Sequence, residues 1–255
     1  MAQFAYLSRD RLLVIGALAA AIACAWAYLV RAALDMNGAM DGMSAWMMEA
    51  TWDTRYLLLM FAMWAVMMSG MMLPSALPTI LLYTRALQGN DARAPVRRTL
   101  SFAAGYLLAW AGFSVAATLA QWGLAEAALV SPMMVSVSPV LGGALLLAAG
   151  IYQWTPLKDR CLAGCRSPLG FLALHFRPGA YGSLRAGLRH GLYCVGCCWA
   201  LMLLLFVGGV MNLLWIVAIS AFVLLEKLAP YGVQGGRLSG LALAAIGIWV
   251  LVTAG

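Results

Sequence analysis

Charged side chains are scarce in this sequence. Asp, Glu, Lys and Arg make up 10% of its 255 residues, whereas 64% of the residues are hydrophobic, and the mean hydropathy is +0.90. In a soluble globular domain about a quarter of the residues are charged. This composition therefore excludes a soluble globular domain and indicates an integral membrane protein. A membrane span needs about 20 residues, so the chain has room for roughly six to eight helices. These helices leave no length for a separate soluble domain.

Other absences narrow the function. The sequence has no Gly-rich phosphate-binding loop of the Walker type, so any movement of a substrate would be passive or driven by a partner. The spacing of its six cysteines does not resemble the disulfide scaffold of a small secreted domain. The excess of 16 Lys and Arg over nine Asp and Glu marks membrane topology and does not indicate a nucleic-acid partner.

The apolar runs predict an all-α, polytopic transmembrane helix bundle that forms one domain over residues 1–255, with six to seven spans. The predicted spans are 12–34, 56–83, 100–121, 139–154, 187–211, 212–225 and 238–253. By the positive-inside rule, basic residues place the N-terminus and the long loop 155–189 in the cytoplasm, with the chain in the bilayer of a bacterial inner membrane. Seven spans put the C-terminus outside, and six put it inside.

Methionine is abundant in span two. On a 3.6-residue helix its methionines form one stripe with Met60, Met63, Met67 and Met71, and beside it another with Trp64, Met68 and Met72. Pro74 and Pro78 follow and predict a kinked or broken helix. A thioether-lined face has two interpretations, because methionine is a flexible core filler and also a soft ligand for monovalent copper.

A second methionine cluster lies in the loop 35–53, on the predicted outer side. It comprises Met36, Met40, Met43, Met47 and Met48, among Gly, Ser and carboxylates. An exposed segment has no core for methionines to fill, so metal capture and an amphipathic interfacial helix anchored by Trp46 and Trp52 both stay open.

Three cysteines of span five fall on nearly one helix face: Cys194, Cys197 and Cys198. They lie at a depth similar to that of four span-two methionines: Met67, Met68, Met71 and Met72. Gly196 permits close approach of another helix. If spans two and five pack together, one pocket combines thioethers and thiolates, and soft sulfur ligands without carboxylates favour Cu(I).

The loop 155–189 holds a further pair, Cys161 and Cys165, whose spacing suits two ligands on one helical turn. Basic neighbours favour the thiolate form, which serves metal transfer and disulfide exchange alike. The two histidines, His175 and His190, are interpreted as polar rim residues near the membrane interface and not as ligands.

Four separated motifs carry a resemblance to a known family. They are Met63-Trp64-x-Val66-Met67-Met68-x-x-Met71-Met72-x-Pro74, Tyr152-Gln153-x-Thr155-Pro156-Leu157-Lys158-x-x-Cys161-x-x-x-Cys165-Arg166-x-Pro168, Cys194-x-Gly196-Cys197-Cys198-Trp199 and Glu226-Lys227. Together they resemble a bacterial membrane family numbered 2182 among the domains of unknown function, labelled predicted metal-binding integral membrane proteins. The resemblance implies that the methionine stretch, the cysteines and the Glu-Lys pair belong to one pattern, which does not include the loop 35–53.

The leading hypothesis is a non-enzymatic membrane protein that binds Cu(I) for uptake, trapping or delivery to a membrane-protein or metallochaperone partner. The predicted ligands are Met67, Met68, Met71, Met72, Cys161, Cys165, Cys194, Cys197 and Cys198. One alternative is a membrane thiol-disulfide oxidoreductase that uses the two cysteine groups. Another is an accessory subunit of a larger membrane complex that binds no metal. Glu226 and Lys227 are interpreted as a structural ion pair at a helix end.

Overall fold

A computed structural model describes residues 9–37, 52–89, 95–131, 136–177 and 179–254. These ranges are almost entirely helical, which confirms the predicted all-α class. The helices are α1 (Arg9–Asn37), α2 (Thr54–Gly89), α3 (Pro95–Glu126), α4 (Pro139–Tyr152), α5 (Pro156–Arg166), α6 (Pro168–His175), α7 (Gly179–Leu203), α8 (Leu205–Gly208), α9 (Leu213–Leu228) and α10 (Gly232–Ala254). Most of the methionine-rich loop 35–53 lies outside the described residues.

Five helical stretches of the described chain are long and apolar enough to cross a membrane: α1, α2, α3, the segment Gly179–Gly208 and α10. A sixth results if α4 and α5, which bend by 65° at a short break, count as one broken span. The 16 residues of α9 are fewer than the roughly 20 that a hydrocarbon core requires. The predicted count of seven spans is therefore not confirmed.

The predicted cytoplasmic loop 155–189 is helical in the structure. It contains α5, α6 and the beginning of α7, which starts at Gly179 and not at the predicted residue 187. Pro156 and Pro168 each stand at the start of a helix, where the missing N–H would have no partner within the helix. Two prolines thus divide a segment that charge alone marks as a loop.

α2 lies in the centre of the bundle and contacts α1, α3 and α9. It runs as one helix past both of its prolines, and the kink predicted there is not confirmed. Pro74 has no N–H to donate to the carbonyl of Gly70, four residues earlier. The indole Nε1 of Trp26 on α1 donates to that oxygen at 3.1 Å, so the neighbouring helix satisfies the group that the proline leaves free.

α3 and α7 make the most extensive helix pair in the described chain. A Cβ placed on Gly105 or Gly187 would overlap the backbone of the opposite helix, so both positions need glycine. Gly112, on the same helix, is not such a position, because nothing lies within 4 Å of a Cβ built there.

Candidate metal centre

The span-two methionines are all buried, at most 2% exposed, but their sulfurs lie in different surroundings. Met60 Sδ accepts a hydrogen bond of 3.5 Å from Gln121, whose amide oxygen accepts from Trp64. Met71 lines a separate cavity of about 190 Å³. Met72 Sδ lies 4.0 Å from Cys198 Sγ. The C-terminal end of the methionine stretch is thus the part that meets the cysteines.

The cysteines of α7 face the interior of the bundle, and Cys194, Cys197 and Cys198 are each 1% exposed. The thiols of Cys197 and Cys198 donate to the carbonyl of Cys194, at 3.1 and 2.9 Å. These bonds hold both sulfurs on the face toward α2 and α5. The interior position of all three follows from their i, i+3 and i+4 spacing.

α5 supplies a fourth cysteine to the same place. Cys165 Sγ lies 4.0 Å from Cys197 Sγ, and the Cys165 and Cys194 thiols also interact. We call the five neighbouring side chains from three helices the sulfur cluster: Met72, Cys165, Cys194, Cys197 and Cys198. All six cysteines of the chain are free thiols.

Cys161 stands at the edge of the sulfur cluster, one turn before Cys165 on α5. It is partly exposed, and its sulfur packs on Gly196, where a Cβ would come within 2.6 Å of it. The hydroxyl of Tyr152 donates to the Gly196 carbonyl beside it. The prediction that Gly196 admits another helix is confirmed, and the helix is α5. Cys24, on α1, is exposed.

The sulfur separations fit shared ligation of one ion. With metal–sulfur bonds of about 2.3 Å, two sulfurs on one metal stand roughly 3.8 to 4.6 Å apart, depending on the bond angle. Both 4.0 Å pairs, Cys197 with Cys165 and Cys198 with Met72, fall in that range. Within the described ranges no three His, Cys, Asp or Glu side chains are arranged to hold one ion. The cluster therefore provides two sulfur pairs, one of two thiols and one of a thiol and a thioether.

A lysine from α9 reaches into the cluster. Lys227 is only 6% exposed, and its Nζ donates to Cys194 Sγ at 2.9 Å and to Ser75 Oγ at 3.0 Å. The Tyr106 hydroxyl stands 3.0 Å from the same sulfur and donates to the Met72 carbonyl. An ammonium beside a thiol stabilises the thiolate, which is the form that binds metals.

Glu226, the residue before Lys227, faces a different partner. Lys158 Nζ donates to its Oε2 at 2.8 Å and lies 2.6 Å from its Oε1 as an ion pair, and Lys158 also donates to Gln153. The prediction that Glu226 and Lys227 pair with each other is wrong. Adjacent residues on a helix point about 100° apart, so the two side chains lie on different faces of α9 and contact different helices.

Two of the basic residues next to the α5 cysteines, Arg166 and Lys158, bind groups on α9 and not the cysteines. Arg166 donates to the carbonyls of Glu226 and Ala229 at the end of α9, while Lys158 pairs with Glu226. The cation at the cluster comes instead from Lys227, which sequence reasoning missed as a site residue. The Glu-Lys motif was the available signal for it.

The structure corrects the prediction for one histidine. His190 is 2% exposed and lies among the rings of Phe102, Tyr106 and Phe171, so it is a core residue and not a rim residue. His175 is partly buried and stacks on Phe171. The metal-ligand role of the nine predicted residues stays a prediction, now with Met72, Cys165, Cys194, Cys197 and Cys198 in one cluster.

A family model described as PpoB2, copper chaperone, matches residues 61–250 of the chain. The match covers most of the sequence and contains every residue of the sulfur cluster, together with Cys161 and Lys227. No curated protein and no solved structure matches the chain. The copper description agrees with the metal-binding prediction, whereas the family number 2182 stays untested.

Proposed function

The chain belongs to the PpoB2 copper chaperone family, and from this premise we propose that it is an integral membrane protein that binds Cu(I) as cargo in the sulfur cluster and delivers it to a partner. One observation carries the proposal. Two sulfur pairs at 4.0 Å join the buried thioether of Met72 on α2, buried thiols of α7 and the partly exposed Cys165 thiol of α5. Soft thiolate and thioether ligands select Cu(I) over ions that prefer oxygen.

The proposed ligands are Met72 with Cys198 and Cys197 with Cys165. Cys194 sits between them and is bound by Lys227 and Tyr106, so it supplies negative charge at the centre of the cluster. Met71 lies at another cavity, which argues against a place for it in this site. Met67 and Met68 belong to the surrounding core and shield the cluster from water.

Cys161 gives the cluster an open end. Its thiol is partly exposed and lies one helical turn from Cys165, which contacts Cys197. A thiol of an incoming partner protein would displace one protein ligand at a time, and Cu(I) would pass from Cys197 through Cys165 and Cys161. In each exchange the incoming thiol gives up its proton and the departing thiolate takes one, while metal–sulfur bonds form and break. No oxidation state changes, so the transfer needs no oxidant or reductant.

The proposal includes a membrane setting. α1, α2, α3, the segment Gly179–Gly208 and α10 have the length and composition of membrane spans, and we assign the bilayer to the bacterial inner membrane with the N-terminus in the cytoplasm. The segment with α5 then faces the cytoplasm. Its partner would be a soluble or membrane-bound copper protein with an accessible thiol.

A thiol-disulfide oxidoreductase is the second candidate, and the 4.0 Å approach of Cys165 and Cys197 favours it. The two functions require opposite states of these residues, because a redox cycle needs a trapped disulfide and a Cu(I) site needs free thiols. Thiol labelling before and after reduction of the protein purified without reductant separates them.

The direct test is metal analysis of purified protein loaded with Cu(I) under reducing conditions. We expect about one tightly held Cu(I) per chain, as a buried set of soft ligands provides. Cys197→Ser and Cys198→Ser should lose it, while Cys24→Ser, remote from the cluster, should retain it. Failure of the parent protein to hold copper, or equal loss in Cys24→Ser, contradicts the proposal.

A further inference from the structure

Lys227 is the cation beside the sulfur cluster that has no carboxylate partner among the described residues. Its Nζ makes contacts to two acceptors, Cys194 Sγ and Ser75 Oγ, as an ammonium with donors only must do. Lys227 is 6% exposed, and burial of its charge destabilises the protein unless an opposite charge lies near it. The other buried lysine, Lys158, is neutralised by Glu226, so the charge of Lys227 is left for the cluster to balance.

We propose that Lys227 selects the charge of the metal that the cluster accepts, and that it favours monovalent Cu(I) and Ag(I) over divalent ions. The inference rests on the proposed function of this site. When the ion is held by Met72 and Cys198, the two thiolates beside it are Cys198 and Cys194. With a monovalent ion they carry a net charge of −1, which the ammonium brings to zero. Two thiolates and a divalent ion are already neutral, so the ammonium then leaves an uncompensated buried charge.

The size of the effect follows from Coulomb's law. For one extra unit of metal charge about 5 to 6 Å from Nζ, at an effective dielectric constant of about 20, repulsion weakens binding roughly a hundredfold. Ligand softness does not produce this discrimination, because Cd(II) also prefers sulfur. The ligand thiols release their protons when the metal binds, and this release is the same for a monovalent and a divalent ion on the same ligands, so it does not change the comparison.

Ag(I) and Cd(II) are the probes for the experiment, because both are soft and they differ in charge. The measured quantity is the ratio of their dissociation constants on the purified, reduced full-length protein. Lys227→Gln removes the charge, keeps a donor for Cys194 and Ser75, and adds no sulfur ligand to the cluster. We expect it to shift the ratio about a hundredfold toward Cd(II). Lys227→Arg keeps the charge, and Ser75→Ala removes a partner of Nζ without changing the charge, so both should leave the preference for Ag(I) in place.

A second variant allows the inference to be tested even if Lys227→Gln does not fold. Ser75→Asp places a carboxylate beside Nζ and neutralises it with the lysine still present, so the ratio should move in the same direction. An unchanged ratio in Ser75→Asp and in any folded Lys227→Gln overturns the inference, as does an equal loss of both ions in Lys227→Gln. A parent protein that binds neither Ag(I) nor Cu(I) overturns the proposed function itself.

Discussion

The buried ion pair between Lys158 and Glu226 should hold α5 against α9, and Lys158→Met tests this. The side chains of both residues are 2% exposed, so water and salt do not screen the pair as they would at a surface. Removal of one partner of a buried pair leaves an uncompensated charge and costs about 3 to 5 kcal/mol. We therefore expect Lys158→Met and Glu226→Leu each to destabilise the protein by about that amount.

The double variant Lys158→Met/Glu226→Leu separates the pair from its surroundings. Apolar replacement of both partners is often neutral or stabilising, so the double variant should be clearly more stable than either single variant. The assay is denaturant unfolding in detergent micelles, followed by circular dichroism. Alkylation of Cys165 is the second readout, because undocking of α5 exposes that thiol. Losses below about 1 kcal/mol in both single variants, or losses that simply add in the double variant, would refute the reasoning.

Three further predictions concern the sulfur cluster itself. Met72→Leu should retain the fold and weaken Cu(I) binding at least about tenfold, because it removes a soft ligand. Met60→Leu is the control and should not weaken binding, because the Met60 sulfur accepts from Gln121 and lies outside the cluster. Competition with a Cu(I) chelator measures both affinities, and equal effects would contradict the assignment. Cys161→Ser should leave Cu(I) affinity in place and slow transfer to a thiol acceptor, which stopped-flow absorbance detects; unchanged transfer would remove Cys161 from the route. Gly196→Ala should force α5 away from α7, since its Cβ would come within 2.6 Å of Cys161 Sγ, and lower stability by about 1 to 3 kcal/mol in the same unfolding assay; an unchanged midpoint would show that α5 is not fixed there.

The helical class and the contact of Met72 with the span-five cysteines could be predicted from the sequence. Hydrophobicity gives helix positions in a membrane chain, and the 3.6-residue period gives the helix face. Depth along two spans then predicted that the Met67 to Met72 end meets the cysteines if the two spans pack, and of its four methionines Met72 is the one whose sulfur lies beside a cysteine in the structure. The approach of α5 at Gly196 was also accessible, because a glycine among cysteines leaves space for a neighbouring helix.

The contacts of the charged side chains could not be predicted from the sequence. Lys158 and Arg166 are neighbours of the cysteines in sequence, but their side chains bind α9, and the cation at the thiols is Lys227 from a distant helix. Proximity along the chain does not determine which of several cations reaches a buried thiol, because that depends on how three helices pack. Secondary structure inside the loop 155–189 was missed for a related reason, since basic residues mark the side of the membrane but not the local conformation.

The end of α9 brings the parts of the cluster together. Glu226 binds Lys158 and so fixes α5, which carries Cys165 and Cys161. Lys227, turned about 100° away on the same helix, binds Ser75 of α2 and Cys194 of α7. Two adjacent residues of opposite charge therefore connect α9 to the three helices that supply sulfur ligands. Because the order of the two charges decides which helix each one binds, Glu-Lys and Lys-Glu are not equivalent at this position.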